Sequence, residues 1–429
     1  MTGSFAIASL DACEVLDSRG RPTVWCEVVL GSGARAAASV PSGASTGRHE
    51  RHELRDGGDR YDGRGVRRAV RNVVDEIAPA VLGLDARDQE QLDATMLDTD
   101  GTPALERLGA NAVLSVSVAA ALASAAATGT PLYRYLSELR GERPVIPMPM
   151  VNILSGGAHA ARALDLQDFL VVPHAATTFS QAIEWVAAVR ESAVLVAESR
   201  GHHARLAADE GGLGIALDRN EDALELLTDA IERAGHEPGA TVSIAVDVAA
   251  TQLVHPEGYE LRLEGRTLSA AGLLDEIARW CESYPVCSVE DAFGEDDWDG
   301  WRRASVRLPG VQLVGDDLFA TDVARLRRAT ELGVANAVLV KPNQRGTLSG
   351  ALEVLDHARS RGYATILSAR SGETEDSWLA DLAVGWGSGQ VKVGSTTRSE
   401  RTAKWNRLLV IEHQLGPGAA LARFARPAV

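Results

Sequence analysis

Residues 311–346 read VQLVGDDLFATDVARLRRATELGVANAVLVKPNQRG, and their pattern decides the fold. "VQLV" is a short apolar run that stops at Gly315 and Asp316. "DVARLRRATELG" spaces its apolar residues at a helical period and ends on glycine. "AVLV" is a second apolar run, closed by Lys341. Strand, helix and strand in so short a span form a parallel crossover unit.

The unit repeats in both directions. "VSIAVDVA", "CSVEDAF", "ATILSARS" and "QVKVGS" are further β-branched runs, with helical segments such as "AGLLDEIARWCESY" between them. Strands buried on both faces read as near-continuous apolar runs, as these do. The α/β pattern predicts a (β/α)₈ barrel built on a parallel sheet. Upstream the rhythm differs. "TVWCEVVLGSG" and "ARAAASV" read as paired strands, and "GVRRAVRNVVDEIAPAVLGL" as a helix with Val66, Val70, Val73, Val74 and Ile77 at helical spacing. Between them lies the polar, Gly-rich "PSGASTGRHERHELRDGGDRYDG"; loops of that length are uncommon and often functional. The Pro-rich "GERPVIPMPM" marks a junction. The expected organisation is a smaller α+β capping domain with a mobile lid loop over 1–140, then a barrel domain over 141–429.

Composition narrows the function. The 429 residues are 45% hydrophobic and 24% charged, which suits a soluble globular protein with a large core. A net charge of −16 argues against a nucleic-acid surface as the main business. The most apolar stretch, "ANAVLSVSVAAALASAAATG", is mostly Ala and Ser and reads as a packed internal helix, so no membrane partner is expected. Cys13, Cys26, Cys281 and Cys287 form neither a C-x-x-C pair nor a zinc pattern, and the N-terminus lacks the marks of a leader. Reduced thiols and a cytoplasmic location are expected.

Of 43 basic residues only Lys341, Lys392 and Lys404 are lysine. Arginine keeps a charge but does not give up its proton, so a retained lysine suits a place needing a base or a compact cation. Lys404, in "TAKWNRLLVIEHQL", is expected to need only a cation or a long stem, so arginine should replace it almost silently. The others sit where chemistry is expected. The apolar runs finish at Asp247, Glu290, Asp316, Lys341, Arg370 and Lys392. In a barrel the C-terminal strand ends converge on one mouth. Three carboxylates there suit a hard cation with oxygen ligands, Mg²⁺ being the common choice. A lysine opposite the metal suits removal of a proton next to a carboxylate, with the metal stabilising the enediolate. A second acid is then needed to expel a leaving group.

With these residues in place, the chain resembles the enolase family from end to end. The matching stretches include "DSRGRPTV", "VPSGASTG", "LGANAVLSVS", "ADEGGLG", "SVEDAFGEDDW", "GDDLFAT", "VKPNQRGTL", "ARSGETEDS" and "QVKVG". The resemblance implies that Asp247, Glu290 and Asp316 bind the tighter Mg²⁺, and that Ser45 in the lid helps hold a second. It implies Lys341 as the base and Lys392 beside the substrate carboxylate. Arg370, Ser371 and His159 would meet the phosphate end, and Glu210 would be the acid assisting loss or addition of hydroxide. It also implies a homodimer or an assembly of dimers.

Two positions depart from the family pattern. Ala369 stands where the family has an active-site histidine, and Gln167-Asp168-Phe169 replaces Q-E-F. The second change draws a catalytic carboxylate back by roughly 1.5 Å. Added cations, namely Arg48, Arg51, His52, Arg162 and Arg345, surround the expected mouth and suit a larger or more anionic substrate. Three readings follow. One is a specialised enzyme like the enolase branch of phosphinate-antibiotic pathways, forming carboxyphosphonoenolpyruvate from CMP-phosphonoformate and a phosphoglycerate. The second is an ordinary phosphopyruvate hydratase. The third is a catalytically silent fold kept for binding.

Overall fold

The computed structural model describes residues 4–44 and 47–425. Ser45 lies outside them.

Strands Ile7–Leu16, Pro22–Leu30 and Arg35–Ser39 form an antiparallel meander. Val24, Cys26, Val28 and Leu30 alternate onto its buried face, as a strand's period of two requires. The helix Ala110–Thr128 packs on that sheet. It is long and apolar enough to cross a membrane, but 83% of its apolar window is buried inside the protein. A helix apolar on all sides needs such enclosure. The segment expected as one helix is broken instead. Arg67–Asn72 and Ala78–Val81 flank a π turn, Val73–Ile77. The wider turn shifts the buried stripe, so Val73 and Ile77 are buried while Val74 is 41% exposed.

The C-terminal part is a closed eight-stranded barrel. In chain order its strands are Met148–Ser155, Asp168–Val172, Ser243–Asp247, Val286–Glu290, Gln312–Gly315, Ala337–Val340, Ala364–Ser368 and Gln390–Gly394. The last six coincide with the runs read from the sequence. The first two were not foreseen, and Asp168–Val172 runs antiparallel to both neighbours. The connection before it, residues 156–167, contains only a short 3₁₀ turn, so the chain doubles back as a hairpin where a crossover would need more. The barrel is therefore not wholly parallel. The reversal brings Asp168, the first residue of its strand, to the mouth where the other strands end, opposite Asp247.

The inside of the barrel explains the charged layer above it. Met148, Met150, Leu170, Val172, Ala245, Val314, Ala337, Leu339 and Ile366 form one buried cluster. Gln312 and Gln390 close it with paired amides at 2.7 and 3.2 Å. Two residues along a strand return to the same face. Ala245 thus leads to Asp247, Val314 to Asp316, Leu339 to Lys341 and Gln390 to Lys392. Along the reversed strand, Leu170 leads back to Asp168. Lys392 corrects an expectation: it lies within its strand, which continues to Gly394, so pleat direction rather than strand end carries it inward.

The two halves meet beside this mouth. Ser42 and Gly372 exchange backbone hydrogen bonds of 2.9 Å each way. A Cβ on Gly372 would collide with Arg19, Asp17 and the Ser42 carbonyl, so only glycine allows the approach.

Candidate active site

Two lysines hold the three expected carboxylates. Lys392 Nζ lies 2.8 Å from Asp247 Oδ2 and 2.7 Å from Glu290 Oε2. Lys341 Nζ lies 2.5 Å from Asp316 Oδ2. Gln167 and Gln344 donate amides to Asp247 and Asp316 at 3.1 and 2.9 Å. Burial, then Asp247, pushes the Glu290 carboxyl well above its usual range against the pull of Lys392. Burial also works to raise Asp316, but Lys341 outweighs it and holds that carboxyl down. Asp316 further belongs to a compact trio with Asp291 and Asp317. Asp291 is committed to structure, because its two oxygens accept the backbone N–H groups of Asp316 and Asp317.

Beside Asp247, His159, Asp168 and Glu210 also form a compact buried group. Asp168 is fully enclosed. It accepts from His159 Nδ1 at 2.9 Å, from Ser155 Oγ at 2.9 Å and from the Asn152 amide. It does not line the small cavity at the mouth; His159, Gln167, Glu210 and Ala369 do, with both lysines, Arg370 and Ser371. Asp168 backs His159 from behind. Burial pulls the His159 imidazolium down, yet Asp168 and then Glu210 overcome it and lift its pKa to about 9. Burial works to raise Glu210, but His159, Arg401 and the lysines hold it below its usual value.

Arg370 and Ser371 come from the loop after Ala364–Ser368. The Arg370 guanidinium is gripped by Glu50 of the lid at 2.9 and 3.2 Å, and it donates to Asn343 Oδ1 at 3.0 Å. Ser371 Oγ accepts from Ala44 N at 2.7 Å. Of the added cations, His52 and Arg51 line one cavity beside the lid. Arg48 ties the lid to Glu295 at 2.6 Å, Arg162 is exposed, and Arg51 and Arg345 both reach Asp322.

The helix Ser399–Leu415 fastens that loop from behind. Arg401 donates to the carbonyls of Arg370 and Ser371 at 2.6 and 2.5 Å. Lys404 Nζ meets the Thr374 carbonyl at 2.6 Å and Glu373 Oε2 at 2.9 Å, and Glu373 accepts the Arg370 backbone N–H. Here the sequence reading of Lys404 is wrong. The side chain is 1% exposed and enclosed by protein, so a broad guanidinium has no room. Lys404→Arg should therefore destabilise by about 1–3 kcal/mol through overpacking. Chemical denaturation checks this, and an unchanged midpoint would refute it. Glu50, Gln167, Asn343, Gln344, Glu373 and Arg401 were also missed as site residues. Their clue was position, since each lies within or beside a motif already quoted or on the helix bearing Lys404.

Fold and site together have the form of an enolase-superfamily enzyme. Residues 7–136 match the family described as "Enolase, N-terminal domain", and residues 143–426 match "Enolase, C-terminal TIM barrel domain". The chain belongs to the enolase family.

Proposed function

We propose that this protein is a Mg²⁺-dependent enzyme of a specialised kind. It would act on a phosphoglycerate or phosphoenolpyruvate-type anion. The reaction would be formation of carboxyphosphonoenolpyruvate from CMP-phosphonoformate and a phosphoglycerate: the phosphonoformyl group passes to the C2 oxygen as CMP leaves, the C2 proton and the C3 substituent depart to form the enol double bond, and phosphate is released. One observation carries this reading: the proton-abstraction pole keeps its lysines and carboxylates, while the hydroxide pole has Ala369 in its wall and Asp168 shut behind His159.

The donor set fits a hard divalent cation. Asp247, Glu290 and Asp316 offer only oxygen, the donor type that a hard divalent cation takes. These three residues would hold Mg²⁺, which when bound supplies positive charge to stabilise an enediolate. Lys341 faces the reacting carbon and takes its proton. Lys392 pairs with the substrate carboxylate. Arg370 and Ser371 receive the phosphate end after Glu50 has left Arg370. His159 and Glu210 handle protons on the far side.

Mg²⁺ should raise thermal stability, by about 2.7 kcal/mol at roughly a hundred times its Kd. Asp316→Asn should abolish most of that response in differential scanning fluorimetry. A full response in the variant would remove Asp316 from the ligand set. The reaction itself is tested by incubating the protein with Mg²⁺, CMP-phosphonoformate and 2-phosphoglycerate and following phosphorus NMR. A new carboxyphosphonoenolpyruvate resonance supports the reading. Rapid phosphoenolpyruvate formation from 2-phosphoglycerate alone would favour the ordinary hydratase, the reading supported by the intact lysines.

A further inference from the structure

Beside the catalytic cleft lies a second cavity of about 340 Å³, lined in part by Glu50, Arg51, His52, Arg55 and Asn343. Glu50 and Asn343 also bond to Arg370. Their side chains therefore stand between the small catalytic cavity and this larger one. Glu50 is held there by Arg370, by the Gly47 N–H at 3.0 Å and by Gln344 at a long 3.5 Å. Glu50, the part of this partition that the lid supplies, can be withdrawn when a substrate anion replaces it on Arg370.

The charges of the cavity wall are not evenly matched. Glu50 is neutralised by Arg370, and Glu53 by Arg55 at 2.5 Å. Arg51 shares its carboxylate. Its Nη2 lies 3.3 Å from Asp322 Oδ2, and Arg345 Nη1 lies 3.4 Å from the same oxygen. Asp322 also caps a helix, accepting the N–H groups of Ala324 and Arg325. Arg51 and Arg345 thus share the one Asp322 oxygen that the cap leaves over, at distances longer than the 2.7–2.9 Å typical of a tight charged hydrogen bond, and Arg345 also reaches Glu353 at 3.8 Å. Burial and the neighbouring Arg345 charge both weigh against the Arg51 cation. An incoming phosphoryl group, with several strong acceptor oxygens in reach of a planar fork, would relieve that crowding.

We infer that this cavity is an annex of the catalytic cleft that receives a second phosphoryl or phosphonyl group, gripped by Arg51 with Arg345 behind it and opened to the cleft by withdrawal of Glu50. The inference rests on reading the protein as acting on a phosphoglycerate-type anion, and it adds where the second anionic reactant is held. A three-carbon phosphate held by Lys392 and Arg370 does not need this space; a substrate pair with a further phosphoryl group does.

The test is calorimetric, on the full chain saturated with Mg²⁺ and 2-phosphoglycerate. CMP and, separately, inorganic pyrophosphate are titrated in. Both should bind on top of 2-phosphoglycerate. Arg51→Ala should weaken both by about tenfold or more, and Arg345→Ile by less, while 2-phosphoglycerate affinity changes by no more than about twofold. Failure of both probes to bind the saturated wild type overturns the annex. So does binding that ignores both substitutions, or an equal loss of 2-phosphoglycerate affinity. Arg51-dependent binding of pyrophosphate without binding of CMP upholds the annex and counts against the cytidylyl substrate. The two ideas can therefore fail separately.

Discussion

Lys341→Arg is expected to abolish turnover while leaving the fold intact. The substitution keeps the positive charge 2.5 Å from Asp316 but removes the capacity to give up a proton. Loss of a general base typically costs about 10²–10⁴-fold in rate. The readout is exchange of the C2 proton of 2-phosphoglycerate in D₂O, followed by proton NMR, because exchange reports the base alone. Circular dichroism melting shows whether the larger head group has disturbed the barrel. Lys341→Gln, which is smaller, should be equally inactive and guards against a packing artefact. An Arg variant that still exchanges the proton would remove Lys341 as the base.

The second large effect concerns the wild type. It should exchange that proton readily yet form phosphoenolpyruvate slowly, with the hydroxide step about 10²–10⁴-fold below a fully equipped site. The methyl of Ala369 donates no proton, and Asp168 spends its oxygens on His159, Ser155 and Asn152. Ala369→His should recover part of the dehydration. Recovery should stay partial, because Ala369 is only 6% exposed and an imidazole must push into a tight wall. Adding Asp168→Glu should contribute little, since that carboxylate is fully enclosed and a further methylene has nowhere to go. Fast dehydration by the unmodified protein would leave an ordinary hydratase. Absence of both exchange and ligand binding in every variant would leave a silent fold.

In the structure Glu50 occupies the face of Arg370 that a phosphate would need. On the proposed function, substrate binding would exchange one anion for another on this buried guanidinium. Such an exchange would couple substrate entry to movement of the lid without requiring any change in the barrel.

Read from the chain alone, six barrel strands, the packed core helix and the charged residues that crown the barrel were all legible. The reason is that buried parallel strands and helix periods leave a strong local signal, and a charge that interrupts an apolar run is visible wherever it falls. The hairpin Met148–Ser155 and Asp168–Val172 was not legible, because its direction depends on what the connection can span and not on the residues within the strands. Nor was the role of Lys404. On a helix an exposed and a buried lysine look alike in sequence, and only packing against Glu373 and the Thr374 carbonyl tells them apart. Asp168 likewise counted as a catalytic carboxylate by its place in the motif. Tertiary structure decided that it faces His159 rather than the cavity, because a reversed strand and three converging donors set the direction of its side chain. Glu50 on Arg370 shows the same division most plainly. The two residues are 320 positions apart, and no local pattern brings a lid carboxylate onto a barrel arginine. That pairing exists only once the two domains have closed on each other through Ser42 and Gly372.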